Sequence, residues 1–404
     1  MKTTSDIEKE YLVSRQTLMS WMKNNIIATP QKNWRGWYCW DETAEKELRK
    51  FLLKKAEEKN ILVKKKELPK LYIHNRRYLG SKRKLIDFII ETISPYDNQI
   101  RSVADIFGGT GVVADAFRKK GKKIIINDIL QSNYVAYQTW FGNEKVDKDK
   151  IKYYINKLNS IEGTSNYVSE NFGNAYFSME NAMKIGAIRE EIEKINDINK
   201  REKSFLLTSL IYATDKVANT VGHYDAYRKK MDSHDSLVLK IPAFNNNENN
   251  EIYCNDANRL VKEISADLTY IDTPYNSRQY GDAYHLLENI VEWKKPELMG
   301  VAKKMIDRRK IKSLYSTNKA PQAFKDLIKN INSKYILVSY NNMAKKGDGR
   351  SNAKISNEEI IEILSKKGNL KIYETSFSPF TTGKSKIDDH KELLYLCEVK
   401  YEFE

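Results

Sequence analysis

The 404-residue chain has only three cysteines. Cys39, Cys254 and Cys397 lie far apart and form no CxxC pair, which argues against a disulfide framework or a zinc site and fits a reducing compartment. Proline (8 residues) and glycine (17 residues) are scarce, so long disordered tracts are not expected. No apolar run approaches the roughly 20 residues that span a bilayer. The opening stretch Met1–Glu10 is polar and charged, unlike a secretory leader. These absences lead us to expect a soluble, cytoplasmic protein without a bound metal. No internal repeat is visible.

Positive charge is what the chain has in excess. Lys plus Arg is 69 against 54 Asp plus Glu, a formal net charge of +15. That balance suits a polyanionic partner, although runs of charge also serve as solvated faces. The length allows two or three domains.

The first 60 residues read as a separate unit. Asp6–Glu10 can open a short helix, and Ser14 stands as N-cap of a second one with an apolar stripe at Leu18, Trp21 and Met22. Arg15, Gln16 and Thr17 occupy its first turn, where a recognition helix meets base edges. Trp34-Arg35-Gly36-Trp37-Tyr38-Cys39-Trp40 alternates aromatic and polar residues around a glycine, as in a tight hairpin. Asp41-Glu42-Thr43 then starts a charged helix expected to reach about Lys59, with 61–72 as a linker. Residues 1–70 carry 16 basic and 10 acidic side chains, a net of +6, as a phosphate-facing module needs. A small helical packing or dimerisation domain is the alternative. The stretches "VSRQTLMSWMKNNII" and "WRGWYCWDE" resemble the winged helix-turn-helix of MerR-type regulators. That resemblance implies DNA contacts from Arg15, Gln16, Thr17 and Arg35.

Further on, Ser81 can cap a helix carrying Leu85, Ile86 and Ile89, with Lys82 beside free N–H groups able to hold a carboxylate. Val103–Asp105 is a strand that runs into the glycine turn Phe107-Gly108-Gly109-Thr110-Gly111 and then a helix. Glycines there let a ligand approach the backbone closely. About 20 residues on, Ile124–Asn127 is a second strand ending in Asp128, the offset of an acid that takes ribose hydroxyls. Leu268–Ile271 is a third apolar strand, delivering Asp272-Thr273-Pro274-Tyr275. A carboxylate, a carbonyl in a proline-stiffened turn and a flat ring within four residues suit the amino edge of a planar base. An ordinary strand end with a capping Asp is the alternative.

"RYLGSKRKLI", "DIFGGTGVVADAF", "IIINDI", "IYCNDA", "YIDTPYNSRQY" and "VSYNN" occur in one order. As a set they resemble the Dam-like, α-group DNA adenine-N6 methyltransferases, more narrowly the modification methylases of type II restriction–modification systems, over about residues 72–400. The resemblance implies an α/β fold: a Rossmann-like methyltransferase sheet with a helical target-recognition insertion, preceded here by the winged helix-turn-helix. The expected division is 1–60, linker 61–72, catalytic residues 73–134 and 251–404, and insertion 135–250. It implies S-adenosylmethionine (SAM) as methyl donor, double-stranded DNA as substrate and, as a further partner, an endonuclease cutting the same site. Carried over by motif, Tyr78, Lys82, Asp105, Phe107, Gly109, Gly111, Asp128, Asp256 and Asp272 bind the cofactor. Asp272, Thr273, Pro274 and Tyr275 are catalytic. The family usually has two prolines after the acid. Thr273 fills the first position here, where the group needed is a backbone carbonyl.

The long connection between Asp128 and Asp256, about 120 residues, far exceeds one crossover. Within it, Trp140, Phe141, Phe172, Tyr176 and Phe177 precede an apolar helical stretch, Phe205–Ala213. Asn219–Lys230 mixes glycine, aromatics and cations. His223, Tyr224, Tyr227 and Arg228 are expected to meet DNA there, with His223 a hydrogen-bonded residue rather than a catalyst; a core-lining loop with surface lysines is the alternative. Asn245–Asn250 reads as a polar loop without chemistry. Arg278 and Tyr280 are expected to hold the emptied duplex or the extruded base, with surface charge as the alternative. Arg308–Lys319 is expected to face DNA or solvent. Tyr335–Tyr340 is a strand whose end walls the target pocket, 370–376 and 393–399 are closing strands with Lys391-Glu392 at the turn exit, and Ser378-Pro379-Phe380 covers the pocket. The competing functions are methylation of the cytosine 4-amino group or of an RNA base, and a non-catalytic DNA-binding regulator on a retired methylase fold.

Overall fold

In the computed structural model, which describes residues 2–11, 13–65, 70–232, 235–342, 353–376 and 391–400, the chain divides into Met1–Leu68 and Pro69–Glu404. In the first unit Ser14 caps the helix Arg15–Lys23, its Oγ accepting the Thr17 N–H. The preceding helix spans Thr4–Tyr11. Tyr38–Trp40 is the middle strand of a three-stranded sheet, flanked by Lys2–Thr3 and Gln31–Lys32. Asn33 and Gly36 close the hairpin: Gly36 donates to the Asn33 carbonyl, and its φ of +80° is the left-handed geometry glycine adopts without strain. Ile7, Leu18, Met22, Ile27, Trp40, Ala44 and Leu48 form a separate small core.

The charged helix is longer than expected. It runs Glu42–Lys65, so the first part of the expected linker is helical. Nothing in the sequence Asn60–Lys65 breaks a helix. Lys70–Leu71 is already a strand of the second unit, paired in parallel with Ile241–Pro242.

The second unit is built on a seven-stranded sheet. In chain order its strands are β1 Ser102–Asp105, β2 Lys123–Asn127, β3 Glu251–Tyr253, β4 Ala266–Ile271, β5 Ser333–Asn341, β6 Gly368–Ser376 and β7 Lys391–Val399. The spatial order is β6-β7-β5-β4-β1-β2-β3. β1 to β5 are parallel, and β7 pairs antiparallel with both β5 and β6. This is the mixed, largely parallel sheet that the resemblance implied. The strand order reverses between β1 and β4, and a crevice opens there at their carboxyl ends. β6 and β7 pair antiparallel as the expected hairpin, and Lys391 and Glu392 are the first residues of β7, paired with Ser376 and Thr375. Ser378-Pro379-Phe380 falls outside the described residues.

One face of the sheet packs on helices Ala320–Asn330 and Asn357–Ser365, joining Ala104, Ile125, Ile271 and Val338 to Phe324, Leu327, Ile360 and Leu364. The long connection forms helices Gln131–Phe141, Lys148–Asn159, Tyr167–Phe172, Met179–Lys194 and Lys200–Val217. Lys200–Val217 is buried almost all round and packs against Gln131–Phe141; its buried charges are partnered, Arg201 by the Glu144 carbonyl, Glu202 by the Asp147 N–H and Asp215 by Arg76. A boundary at residue 135 would cut Gln131–Phe141, which belongs to the same compact unit as the sheet. The asparagine-rich loop is structural: Asn250 donates to the Phe141 carbonyl and accepts from the Ile124 N–H, and Asn247 donates to the Trp140 and Gly142 carbonyls. Among the described residues no helix is long and apolar enough to cross a membrane.

Candidate active site

The crevice holds one continuous cavity of about 960 Å³, counted out to its open mouth. Tyr78, Lys82, Asp105, Phe107, Gly109, Asp128, Asp256, Asp272, Thr273, Pro274, Tyr275 and Tyr280 all line it. Four strand ends and the Tyr78–Lys82 segment thus bring the expected residues of both halves into one space. Gly111 is not among its walls. It starts the helix Val112–Lys119 at φ +79°, and a Cβ there would press on Ile73, Phe141 and Tyr137 at 3.1–3.3 Å, so packing by itself requires a glycine at this position.

Asp272 leaves β4 at the centre of the cavity. Its Oδ1 lies 2.9 Å from Lys82 Nζ. Burial raises the Asp272 carboxyl above its usual value, and Lys82 opposes the shift. For Lys82, burial alone would lower the ammonium, but Asp272, with Tyr275 and Glu392, holds it well above the usual lysine range. The asymmetry is physical: the ammonium faces several acidic groups, the carboxylate one cation. Ser81 makes no side-chain cap, and Lys82–Leu85 is a 3₁₀ turn leading into the helix Ile86–Ile93. The carboxylate held beside that turn belongs to the chain's own Asp272.

Thr273 is buried, and Tyr275 is fixed edge-to-face against Tyr340, with ring centroids 5.6 Å apart, while its carbonyl accepts the Lys354 N–H. Tyr340 near the end of β5 therefore backs the Tyr275 ring without lining the cavity itself.

The glycine turn is shaped by its acids. Asp128 Oδ2 accepts the Gly109 N–H at 3.0 Å, and Oδ1 accepts the Leu130 N–H at 2.9 Å. Burial raises the Asp128 carboxyl despite these bonds. A carboxylate has about four acceptor sites, so capacity for a hydroxyl remains. Asp105 is buried, and neither of its oxygens completes a hydrogen bond, although the Ala114 and Phe107 N–H groups favour its ionised form. Burial, then the charge of Asp272, pushes it up to about 8. Such a group suits a cationic or hydrogen-bonding ligand. A Cβ on Gly109 would reach the Tyr78 ring at 3.2 Å, closing the slot between turn and ring. Asp256 caps the short helix Ala257–Leu260 through the Arg259 N–H. An unpartnered acid, a glycine slot and a ring fit a nucleoside with a cationic tail, which is the chemistry of SAM.

Several supports carry no motif and were not foreseen. Asn127 donates to the Ile106 and Asn255 carbonyls and accepts from Asn255, tying three strand ends together. Arg76 is buried, bonds Asn133 and Asp215, and lies against the rings of Tyr78 and Tyr284, which stack at 4.5 Å. Ile311, Ser313 and Tyr315 complete the far wall. The only advance signal for Arg76 was its place just before Arg77 and Tyr78.

The expected DNA contacts divide. Tyr224 is corrected: it is 1% exposed, and its hydroxyl donates to Asp215, so it belongs to the core. His223 is partly buried beside Asp225 and Arg278, and burial lowers its imidazole. Tyr227 packs edge-on against Tyr176. Arg228 and Arg278 are exposed. Tyr280 lines the cavity, its hydroxyl donating to the Leu79 carbonyl. Arg308 is engaged with Asp282. In the first unit Arg15, Gln16 and Arg35 are exposed, while Thr17 is partly spent on the Ser14 cap.

The family profile described as D12 class N6 adenine-specific DNA methyltransferase matches residues 78–347. The modification methylase StsI of Streptococcus sanguinis is 36% identical over 342 residues, 79% of this chain and 51% of that protein. The modification methylase LlaI of Lactococcus lactis subsp. lactis is 34% identical over 66% of this chain and 46% of that protein. The type II methyltransferase M.NlaIII of Neisseria lactamica is 31% identical over 80% of this chain and 98% of that protein. The chain thus spans about half the length of the first two relatives and nearly all of the third.

Proposed function

The chain belongs to the D12 class of N6 adenine-specific DNA methyltransferases, and from that premise we propose that it methylates the 6-amino group of an adenine flipped out of duplex DNA. The observation that carries the reading is one cavity holding both the glycine slot beside Asp105 and the Asp272–Tyr275 turn. SAM, when bound, would supply an electrophilic methyl group; Asp105, Gly109, Asp128, Asp256 and Tyr78 are the residues that would hold it.

The adenine amino nitrogen is a poor nucleophile because its lone pair is delocalised into the ring. Asp272 and the Thr273 carbonyl accept its two N–H bonds, which favours a pyramidal nitrogen and frees the lone pair. Pro274 restrains Thr273 to extended geometry, which holds that carbonyl in place. Lys82 keeps Asp272 available as a carboxylate in a buried setting. Catalysis is then positioning and electrostatics. Expelling the base costs a few kcal/mol, and stacking on Tyr275 returns about 1–3 kcal/mol. Phosphate contacts from the basic surface contribute the rest.

Incubating the protein with SAM and mixed-sequence DNA, digesting to nucleosides and mapping modified bases tests this. N6-methyladenine at one short motif is expected. N4-methylcytosine, or no methylation at all, overturns the adenine reading.

The unit Met1–Leu68 serves as a winged helix-turn-helix that adds DNA contacts. The Ser14-capped helix with Arg15 and Gln16 exposed supports this, as does a hairpin whose Trp34 and Trp37 are 86% and 60% exposed, with Arg35 over Trp34. Deleting residues 1–68 should weaken duplex affinity or change site choice while leaving cofactor affinity intact; unchanged DNA binding and site choice reject it. Its relatives' names support a modification role that protects host DNA from a partner endonuclease. DNA from cells expressing the protein should resist an endonuclease cutting the mapped motif, and cleavage at that motif rejects the role.

A further inference from the structure

Leu298–Met299 and Lys304–Met305 pair antiparallel, Leu298 with Met305 and Met299 with Lys304. The turn between them is closed by the Lys303 N–H donating to the Gly300 carbonyl, with Gly300 at φ +71°. Val301 at its tip is 81% exposed, and Met299 and Ile306 beside it are 54% and 56% exposed. Such a tip is an apolar liability on a free surface unless something covers it.

The tip is held firmly. Tyr176, itself fully buried, places its single hydroxyl proton between the Ala302 and Tyr224 carbonyls, at 2.9 and 2.8 Å, and Met305 is anchored in the core. It is also tied to segments that lead into the cavity wall. Lys304 bonds Asp225 at 2.9 Å, and Arg278, on the loop that follows Tyr275, lies 3.7 Å from the same carboxylate. On the other side the chain runs through Arg308, bonded to Asp282, to Ile311 and Ser313 in the cavity wall. Eight of the residues from Lys294 to Lys312 are lysine or arginine and two are acidic. Among the described residues Lys303, Lys310 and Lys312 are exposed and make no direct ion pair, although Lys310 lies close enough to Asp307 to help lower its carboxyl.

We propose that the hairpin Leu298–Met305 is a duplex-DNA arm whose Met299–Val301 tip wedges into the base stack beside the expelled adenine while Lys303, Lys310 and Lys312 contact phosphates. The inference rests on the adenine reading of the adjoining cavity. Charge names the occupant: apolar wedges inserted between base steps unstack and kink a duplex, and surrounding cations neutralise its phosphates. A rigid turn suits a wedge because a loose one would yield instead of the stack.

Two variants test it, each on the full chain. The first, Lys303→Ala/Lys310→Ala/Lys312→Ala, is read by fluorescence anisotropy on a nonspecific duplex, with no methyl transfer needed. Affinity should fall, and the log–log salt slope should become shallower by about 0.9 for each phosphate no longer neutralised. The second, Met299→Ser/Val301→Ser, is read with a duplex carrying the mapped site and 2-aminopurine at the target adenine. The fluorescence rise on flipping should drop by roughly tenfold, and an abasic site opposite the target should restore it, because unpairing then costs less. Restoration would not follow from a merely structural defect. An unchanged salt slope together with an unchanged 2-aminopurine signal overturns the arm. So does a wild-type dimer that the tip variant dissociates without altering either DNA measurement, since the tip is then covered by a second copy. If the wild type makes no N6-methyladenine, the adenine reading fails, and the anisotropy arm still decides the phosphate contacts.

Discussion

Lys82 Nζ and Asp272 Oδ1 lie 2.9 Å apart, in side chains that are 6% and 17% exposed, although 190 positions separate them in the chain. The ammonium rests on the carboxylate that, in our reading, accepts the target amino group. Lys82 is therefore a positioning residue for that acceptor.

The pair has a pH signature. Transfer needs Asp272 ionised, so activity is lost as pH falls through its folded pKa. Lys82→Met removes the cation that opposes burial and should raise that pKa further. The acidic limb of a kcat/KM profile should move to higher pH, with Lys82→Arg moving it partly back. Asp272→Asn should cut transfer by on the order of 10²–10³ or more while calorimetry shows cofactor affinity little changed. An unmoved limb in Lys82→Met would show that the ion pair does not tune the acceptor.

Gly109→Ala places a Cβ 3.2 Å from the Tyr78 ring at a φ of +52°, where side chains are strained. Cofactor affinity should weaken by about tenfold or more, roughly 1.4 kcal/mol. Gly121→Ala, also at positive φ but with nothing within 4 Å of the added carbon, is the control for backbone strain alone. Equal losses of cofactor binding in both would show that the slot does not set cofactor affinity.

Arg76 and Asp215 form a buried ion pair at 3.3 Å, and Asp215 also accepts from the Tyr224 hydroxyl. Arg76→Ala leaves that carboxylate without its cation and should cost about 3–5 kcal/mol in a denaturant titration. Arg76→Ala/Asp215→Asn should recover part of the loss. A loss within the range of an exposed pair would show that the site relaxes or hydrates.

Glu288 accepts the Gln131 and Ser132 N–H groups, both at 2.8 Å, and so caps the helix Gln131–Phe141 from the helix His285–Glu292. Burial pushes its carboxyl up to about 7, above the ordinary glutamate value of 4.5. A raised folded pKa means that stability from this group is full below the unfolded value and is lost as pH rises through about 7. Glu288→Gln should flatten the change in urea midpoint between about pH 5 and pH 8. An identical pH profile in the variant would reject the assignment.

Much of the catalytic unit can be read locally. Strands that run apolar and end in an acid, the glycine turn between β1 and its helix, and the Ser14 cap all reside in contiguous residues. Dihedral preference and periodicity are properties of neighbours, so short windows carry them. The helix that continues past Lys59 belongs to the same class, since its composition contains no breaker before Pro69. Which side chains are buried is a different matter. Tyr224 looked like a surface aromatic among cations but closes on Asp215, while the Met299–Val301 hairpin offered no alternating run long enough to stand out.

The chain's own order of residues thus determined its strands, turns, caps and the identity of the groups available to a nucleotide and a base. The tertiary structure alone decided that Lys82 meets Asp272, that Asp105 is buried without a side-chain partner, that Glu288 caps a distant helix, and that an apolar turn is tied through Lys304 and Asp225 to the loop after Tyr275. Each of these relations joins segments far apart in sequence, and their contact depends on how strands order in the sheet and helices pack over it, which no local preference encodes.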